Sequence, residues 1–253
     1  MITVGVLALQ GGVVEHLSLL QKAAASLSSS PDTTIGAGAK APQFDFIQVR
    51  TNDQLAQCDA LVIPGGESTT MSIVAQRLGL LDPLREFVKV QNKPVWGTCA
   101  GLVMLAEEAS AVKKGGQELI GGLDVKVLRN RYGTQIQSFV ADLTLPFLGE
   151  AEGPFRGVFI RAPVVEDIIK PAKKIGSDAT ETTTATTTAP VEVLGVYHKP
   201  TGSGQEDDDI VAVRQRNVFG TSFHPELTED IRIHMWWLKQ VVAAARHGDV
   251  VNA

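Results

Sequence analysis

The first half of the chain alternates short apolar runs with segments of helical periodicity. Strands are predicted at four apolar runs: Thr3–Leu9, Phe44–Val49, Ala60–Ile63 and Pro94–Thr98. Helices are predicted between and after them, at Val13–Leu27, at Ser68–Val90 with a break near Gly79 and Pro83, and at Ala100–Ala109. Strands that alternate with helices at this spacing predict a parallel sheet with both faces covered.

The first predicted helix has an apolar stripe. Val14, Leu17, Leu20 and Ala24 follow the helical repeat and are expected to share the face that packs on the sheet.

The second half of the chain is richer in β-type runs. They are Asp124–Leu128, Ile136–Leu143, Gly157–Ile160, Val191–Tyr197, Ile210–Arg214 and Val218–Phe223. A last helix is predicted at Thr228–Ala245. This pattern favours an antiparallel extension or edge on the parallel core.

Three segments have too little apolar content to offset the entropy of ordering them. They are the Ser- and Gly-rich residues 26–43, the Thr-rich residues 170–190 and the acidic residues 200–209. We predict that they are surface insertions within a single domain of residues 1–253, because pieces of one sheet flank each of them.

Composition narrows the class of protein. The 253 residues (27.0 kDa) suit one α/β domain, with two small domains as the alternative. A net charge of -5 and scattered basic residues argue against a nucleic-acid partner. No apolar run reaches the roughly 18 residues of a membrane span, and the apolar N-terminus lacks the basic region of a signal peptide. Two cysteines make no disulfide framework. These features predict a cytoplasmic protein.

The sharpest local pattern surrounds Cys99. An apolar strand runs into Gly97-Thr98-Cys99-Ala100-Gly101 and then into a helix. This is the thiol form of the Gly-x-Ser-x-Gly elbow, in which a tight turn presents a nucleophile beyond the sheet. The helix N-terminus favours the reactive thiolate. The alternative is a buried structural cysteine, which is the interpretation we give to Cys58.

A cysteine nucleophile needs a base, and His224 is the best placed histidine. It follows the apolar run Val218–Phe223, and Pro225-Glu226 comes next. In extended backbone, positions two apart share a side, so Glu226 is predicted to orient His224. The alternative is a strand-end histidine followed by a carboxylate in the first turn of a helix. We expect His16 and His234 to be helix-surface or helix-packing residues.

A glycine turn, Pro64-Gly65-Gly66, separates a strand from a helix that Ser68 or Thr69 is expected to cap. Its backbone N–H groups suit an oxyanion hole. A phosphate loop is disfavoured because no Gly-Lys-Ser/Thr follows, and a plain connecting turn is the remaining alternative. The Gln10-Gly11-Gly12 turn is expected at the same sheet edge, where it would sense a partner.

Two arginines end predicted strands and suit a substrate carboxylate. They are Arg129 and Arg161. A metal site is not expected, because Cys99, His224 and Glu226 lack compact ligand spacing.

Several motifs together resemble class I (triad) glutamine amidotransferases, and more closely the glutaminase subunits of pyridoxal 5'-phosphate synthase. The motifs are Val4–Gly11, Pro64–Met71, Trp96–Gly101, Arg129-Asn130 with Gly133, Gly157–Pro163 and Ser222–Thr228. They span nearly the whole chain outside the three insertions, which are longer than the family's usual core.

The resemblance implies a fold, a site and a partner. The fold would be three-layer α/β, flavodoxin-like, with a mixed, largely parallel sheet. Cys99 would be the nucleophile, with His224 and Glu226 as its partners. The oxyanion and L-glutamine would be held by a further set: Gly65, Gly66, Glu67, Ala100, Arg129, Ile160 and Arg161.

The resemblance also implies that no metal or organic cofactor takes part and that a (β/α)8-barrel synthase receives the ammonia. Two alternatives stay open at this point. One is a glutaminase that serves another acceptor, as in imidazole glycerol phosphate synthesis. The other is a catalytically silent binding module on the same fold.

Overall fold

A computed structural model describes residues 1–29, 42–110, 117–129, 138–149, 153–169, 189–198 and 208–251. Most of the predicted insertions, together with Asn130 and Gly133, lie outside these ranges. The first helix continues to Ser29, so the first four residues of the 26–43 segment are helical.

Five parallel strands form one half of the main sheet. They are β1 (Ile2–Leu7), β2 (Phe44–Val49), β3 (Ala60–Ile63), β4 (Val95–Thr98) and β12 (Val218–Thr221). Their order is β2-β1-β3-β4-β12, and each pair is parallel. The parallel core predicted from the first half is confirmed, and β12, expected in the antiparallel extension, joins it in parallel. The strand order reverses at β1, and ligands of open α/β sheets bind beyond the carboxyl ends of the strands at such a switch.

Antiparallel pairing extends this sheet, as expected from the second half of the sequence. The further strands are β5 (Ala106–Ala109), β6 (Leu123–Leu128), β9 (Val164–Ile168), β10 (Glu192–His198) and β11 (Asp208–Gln215). The order continues from β12 as β11-β9-β6-β5, with β10 on β11; only β5 and β6 pair in parallel here. A separate hairpin pairs β7 (Ser138–Leu143) with β8 (Phe155–Ile160).

Helices cover both faces of the sheet. On one face lie α1 (Val13–Ser29) and α6 (Arg232–Val251). On the other lie α2 (Asn52–Ala56), α3 (Ser68–Arg77), α4 (Leu81–Arg85) and α5 (Ala100–Leu105). The strands supply both cores by simple alternation, since Leu61 and Ile63 face one layer while Ala60 and Val62 face the other. The three-layer prediction is confirmed.

Three helix predictions are wrong in detail. The helix after Cys99 ends at Leu105, because residues 106–109 pair with β6 as a strand; tertiary pairing overrides helix propensity there. The chain breaks near Gly79 as expected, but Pro83 lies in the first turn of α4, where a missing N–H costs little. The last helix begins at Arg232, not at Thr228.

The buried stripe of α1 is also rotated from the prediction. Val14 is 66% exposed, and the buried positions are His16, Leu19, Leu20, Ala23 and Leu27. The buried stripe is offset from the predicted one because His16 occupies a buried position, and a search for apolar residues at helical spacing leaves histidine out. That histidine faces the candidate site.

Candidate active site

Cys99 sits in a strained turn between β4 and α5. Its φ of 49° is rare for a residue with a side chain. The flanking glycines are required by space: a Cβ on Gly97 would lie 2.4 Å from the backbone of Gly101, and one on Gly101 would lie 2.0 Å from the oxygen of Ile63. The elbow predicted from the sequence is therefore present in the backbone.

The thiol of Cys99 faces a narrow cleft at the carboxyl edge of the sheet. Only 7% of the residue is exposed, and Sγ lies 3.9 Å from the carbonyl oxygen of Ile160 on β8. The backbone N–H of Cys99 donates to the oxygen of Thr221 at 2.8 Å, which ties the elbow to the strand that leads to His224. Ala100 begins α5 directly behind the sulfur.

His224 lies beside the elbow and is held by Glu226. Its Nδ1 is 2.8 Å from Glu226 Oε1, and a Cβ on Gly65 would lie 2.4 Å from its Cε1 and 3.4 Å from the Cβ of Cys99. The predicted reason for this pairing is wrong, because residues 225–227 form a 3₁₀ turn and not extended backbone. The turn still brings positions 224 and 226 together, so the predicted contact is present.

The ionisation of His224 is set by its two neighbours. Burial lowers the pKa of the imidazole, but hydrogen bonds to Cys99 and Glu226 and the charges of those groups outweigh burial and raise the pKa to about 10. The imidazolium form is therefore present at neutral pH and is lost as the pH rises through about 10. The charged imidazolium therefore lies beside the Cys99 side chain.

Glu226 is buried among groups that stabilise its charge. Burial alone would raise the pKa of this carboxyl, but contacts with His16 and His224 hold it well below its usual range. His16 comes from α1, and its Nε2 lies 3.3 Å from Glu226 Oε2. The expectation that His16 and His234 are helix-surface residues is wrong, and the helix-packing alternative is correct, since both are fully buried.

The glycine turn after β3 packs directly on the turn after β1. A Cβ on Gly11, whose φ is 91°, would lie 1.7 Å from the oxygen of Gly65. The side-chain oxygen of Gln10 accepts the N–H of Glu67 at 2.9 Å. The prediction that residues 10–12 lie along this sheet edge is confirmed, and they contact the loop that carries Gly65 and Gly66.

Glu67, not Ser68 or Thr69, caps α3. Its carboxylate accepts the N–H groups of Thr69 (3.0 Å) and Thr70 (2.7 Å). Burial would raise its pKa, but the hydroxyl of Thr70 and these N–H groups lower it to about 2. Arg129 Nη2 lies 3.2 Å from Glu67 Oε1. The cap was missed because short hydroxyl side chains are commoner at this position.

The cleft gathers most of the residues predicted from the sequence. Its lining consists of Gly66, Glu67, Ser68, Cys99, Ala100, Val103, Arg129, Ile160, Arg161 and Pro163. Gly65, His224 and Glu226 lie directly behind this lining. Arg161 has a φ of 45°, so it is a second strained residue at the site. Sequence reasoning missed His16 and His234, because nothing in their local sequence distinguishes them from ordinary helix residues.

The described ranges contain neither a metal-ligand cluster nor a helix suited to cross a membrane. There, no group of three or more His, Cys, Asp or Glu residues is arranged to hold a metal ion. Likewise, no helix in those ranges combines the length and apolar character needed to cross a membrane.

A parallel α/β sheet with a cysteine elbow at its carboxyl edge, faced by a histidine that follows the neighbouring strand, is the architecture of class I glutamine amidotransferases. A model of the SNO glutamine amidotransferase family matches residues 6–243. The chain belongs to this family.

The relatives and a solved structure agree with this placement. The chain is 44% identical over 255 residues to a probable pyridoxal 5'-phosphate synthase subunit, PDX2, of Arabidopsis thaliana (94% of this chain, 85% of the relative). It is 44% identical over 243 residues to the pyridoxal 5'-phosphate synthase subunit PdxT of Acidothermus cellulolyticus (96% and 95%). A crystal structure of a glutamine amidotransferase superposes with a TM-score of 0.64 at 35% identity (94% and 98%).

The two cysteines should differ sharply in reactivity. Cys58 is buried, and burial raises its pKa to about 11 despite the nearby charge of Lys93. Less than about 0.1% of such a thiol is thiolate at pH 7.5. We expect iodoacetamide at pH 7.5 to modify Cys99 and to leave Cys58 unmodified, as measured by peptide mass spectrometry. Preferential modification of Cys58 would contradict the assignment of the nucleophile.

Proposed function

We propose that this chain is the glutaminase subunit of a pyridoxal 5'-phosphate synthase, which hydrolyses L-glutamine through a triad of Cys99, His224 and Glu226 and delivers ammonia to a synthase subunit. The observation that carries the triad is the placement of a strained cysteine elbow against a buried His–Glu pair. The named function of the relatives supports the acceptor.

The reaction begins when the Cys99 thiolate attacks the side-chain amide carbon of glutamine. His224, protonated at neutral pH, gives its proton to the departing ammonia, and a glutamyl thioester remains on the sulfur. The neutral imidazole then takes a proton from water, which attacks the thioester and releases L-glutamate. Glu226 holds Nδ1 of His224 throughout, so Nε2 carries out both proton transfers.

The negative charge that forms on the amide oxygen needs N–H donors. We assign this role to the backbone of the Gly65-Gly66 loop and to the N–H of Ala100, which begins α5 beside the sulfur. The glycines let the loop lie against both Cys99 and His224, since a Cβ at Gly65 would overlap the imidazole.

The α-carboxylate of glutamine is assigned to the two arginines of the cleft. Arg129 is oriented from one side by Glu67 and by the hydroxyl of Thr69, each 3.2 Å from its Nη2. Arg161 and Ile160 close the opposite wall, where Ile160 also contributes the carbonyl beside the sulfur. Glu67 thus serves the site by fixing Arg129 and the start of α3.

Replacing Arg129 with methionine should weaken glutamine binding more than turnover. The loss of a charged hydrogen bond predicts a KM for glutamine raised about 10- to 100-fold. The measurement is steady-state glutaminase kinetics in the presence of the synthase.

The matched control is Arg77→Met, which removes an exposed arginine from the last turn of α3 and should leave KM unchanged. An unchanged KM in Arg129→Met would remove that residue from the substrate site.

The proposed partner is a (β/α)8-barrel synthase that uses the ammonia. The cytoplasmic location of the protein is a separate prediction from the sequence. The decisive experiment is a coupled assay with purified synthase, in which pyridoxal 5'-phosphate is formed from glutamine in place of ammonium salts. Glutamine hydrolysis without product formation would point to a different acceptor. The absence of any glutamine hydrolysis would favour the catalytically silent alternative.

A further inference from the structure

A second pair of histidines lies behind the proposed triad. His16 of α1 and His234 of α6 are fully buried, and His16 Nδ1 lies 3.1 Å from His234 Nε2. The other nitrogen of His16 faces the triad: its Nε2 is 3.3 Å from Glu226 Oε2 and 3.4 Å from the hydroxyl of Thr98. The proposed reaction uses neither histidine.

The two carboxylate oxygens of Glu226 differ in their hydrogen-bond contacts. Oε1 faces Nδ1 of His224 at 2.8 Å. Oε2 is buried and has no hydrogen bond of standard geometry among the described residues, but His16 Nε2 lies 3.3 Å from it. A buried carboxylate oxygen without a donor is costly. His16 is therefore the group placed to stabilise it.

The donors and acceptors available to His16 and His234 determine which nitrogen of each ring carries the proton. Burial lowers the pKa of His234 well below its ordinary value. His234 is thus neutral and carries one N–H. Its Nδ1 is buried without a partner, so the N–H belongs on Nε2, where it donates to His16 Nδ1. The proton of His16 then lies on Nε2, the nitrogen that is 3.3 Å from Glu226 Oε2 and 3.4 Å from the hydroxyl of Thr98.

Aromatic packing holds both rings in place. Trp96 of β4 contacts His16 edge-on at 5.6 Å and His234 at 4.9 Å between ring centroids. The indole N–H of Trp96 donates to the hydroxyl of Thr221. On the other side of Glu226, Gly12 packs so closely that a Cβ would lie 2.9 Å from Glu226 Cγ. The Glu226 side chain therefore contacts both Gly12, just before α1, and His16, in the first turn of α1.

We propose that His16 is a positioning residue of the glutaminase reaction, acting through Glu226: it supplies the N–H that holds the second carboxylate oxygen, and His234 fixes its tautomer. Glu226 then keeps His224 oriented towards Cys99. This inference rests on the proposed function, because it extends the triad by two residues that lie outside the substrate cleft.

The test compares two replacements of His16 in the complex with the synthase. Methionine fills similar space without an N–H donor, whereas the amide of glutamine can place an N–H near the position of Nε2. We expect His16→Met to lower kcat about 10- to 100-fold with KM within twofold, and His16→Gln to recover most of kcat. The matched control is His198→Met, which removes an exposed histidine that contacts Asp208 and should leave kcat unchanged.

A second readout needs no glutamine. The rate of Cys99 alkylation by iodoacetamide at pH 7.0 should fall in His16→Met and recover in His16→Gln. In a Glu226→Gln background, His16→Met should have no further effect, because the residue acts through the carboxylate.

Three results would overturn the proposal: equal losses in the methionine and glutamine variants that follow their thermal stability, a rise in KM without a fall in kcat, or an undiminished effect of His16→Met in the Glu226→Gln background. If the wild-type complex hydrolyses no glutamine, the proposed function fails. The alkylation rates then still decide whether His16 acts through Glu226.

Discussion

Replacing Cys99 with alanine is expected to abolish glutamine hydrolysis, with kcat reduced by at least about 10⁴-fold, because the nucleophile of a catalytic unit has no substitute. The strained turn that carries this residue survives the replacement, since alanine tolerates the backbone no worse than cysteine does. The fold and its association with the synthase should therefore be unchanged. Steady-state assays of ammonia release measure the loss of turnover. Thermal unfolding of the wild-type protein and of Cys99→Ala shows whether the fold is unchanged.

The control for this prediction is Cys58→Ala. Cys58 is buried in the core beside β3, and its thiol donates to the oxygen of Gln54. Its removal should cost some stability but leave most of kcat. If Cys99→Ala retains more than a few per cent of wild-type turnover while Cys58→Ala loses it, the nucleophile has been misassigned.

The isolated chain is expected to be nearly inactive. The synthase is expected to raise kcat at saturating glutamine by about 10²–10³-fold, which is the loss in kcat caused by removing one oxyanion-hole donor. A free glutaminase would release ammonia into solvent, where protonation removes its nucleophilicity. The turn of residues 10–12 offers a route for the coupling. Gly11 packs on the oxygen of Gly65, and Gln10 holds the N–H of Glu67, so a partner that moves this turn moves the oxyanion loop.

The measurement is kcat and KM with and without a saturating concentration of synthase. A larger change in kcat than in KM is expected, because an oxyanion donor acts mainly in the transition state. A variant suited to test the route is Gln10→Met, which removes the acceptor of the Glu67 N–H and should reduce the activation. Full activity of the chain alone would refute the switch and leave the triad assignment in place.

The elements that the sequence predicts best are those with strict local demands on the backbone. Strands β1–β4 were expected as parallel strands and β12 only as a strand of the second half, and all five form within a few residues of the predicted bounds. The elbow at Cys99 was recognisable because glycines flank it at positions where the close backbone contacts leave no room for a Cβ. The pairing of His224 with Glu226 was predicted from their spacing, although a 3₁₀ turn and not a strand produces it.

The sequence misled where a distant segment competes with a local preference. Residues 106–109 have helical character, yet they pair with β6 because that strand offers unpaired backbone groups at the sheet edge. The stripe of α1 was misplaced because apolar periodicity overlooks a polar residue that is buried for its contacts. Glu67 was overlooked as the cap of α3 because short side chains are commoner at that position, although its carboxylate accepts the N–H groups of Thr69 and Thr70.

By itself, then, the sequence determined the fold class, the family and the residues proposed for the chemistry, since each of these is written in short motifs whose backbone geometry is local. Only the tertiary structure decided what stands behind Glu226. His16 and His234 are separated by 218 positions and lie on helices that meet over the same face of the sheet. No local pattern marks either residue, because His16 is buried against Glu226 and His234 against His16, and the fold alone creates both contacts.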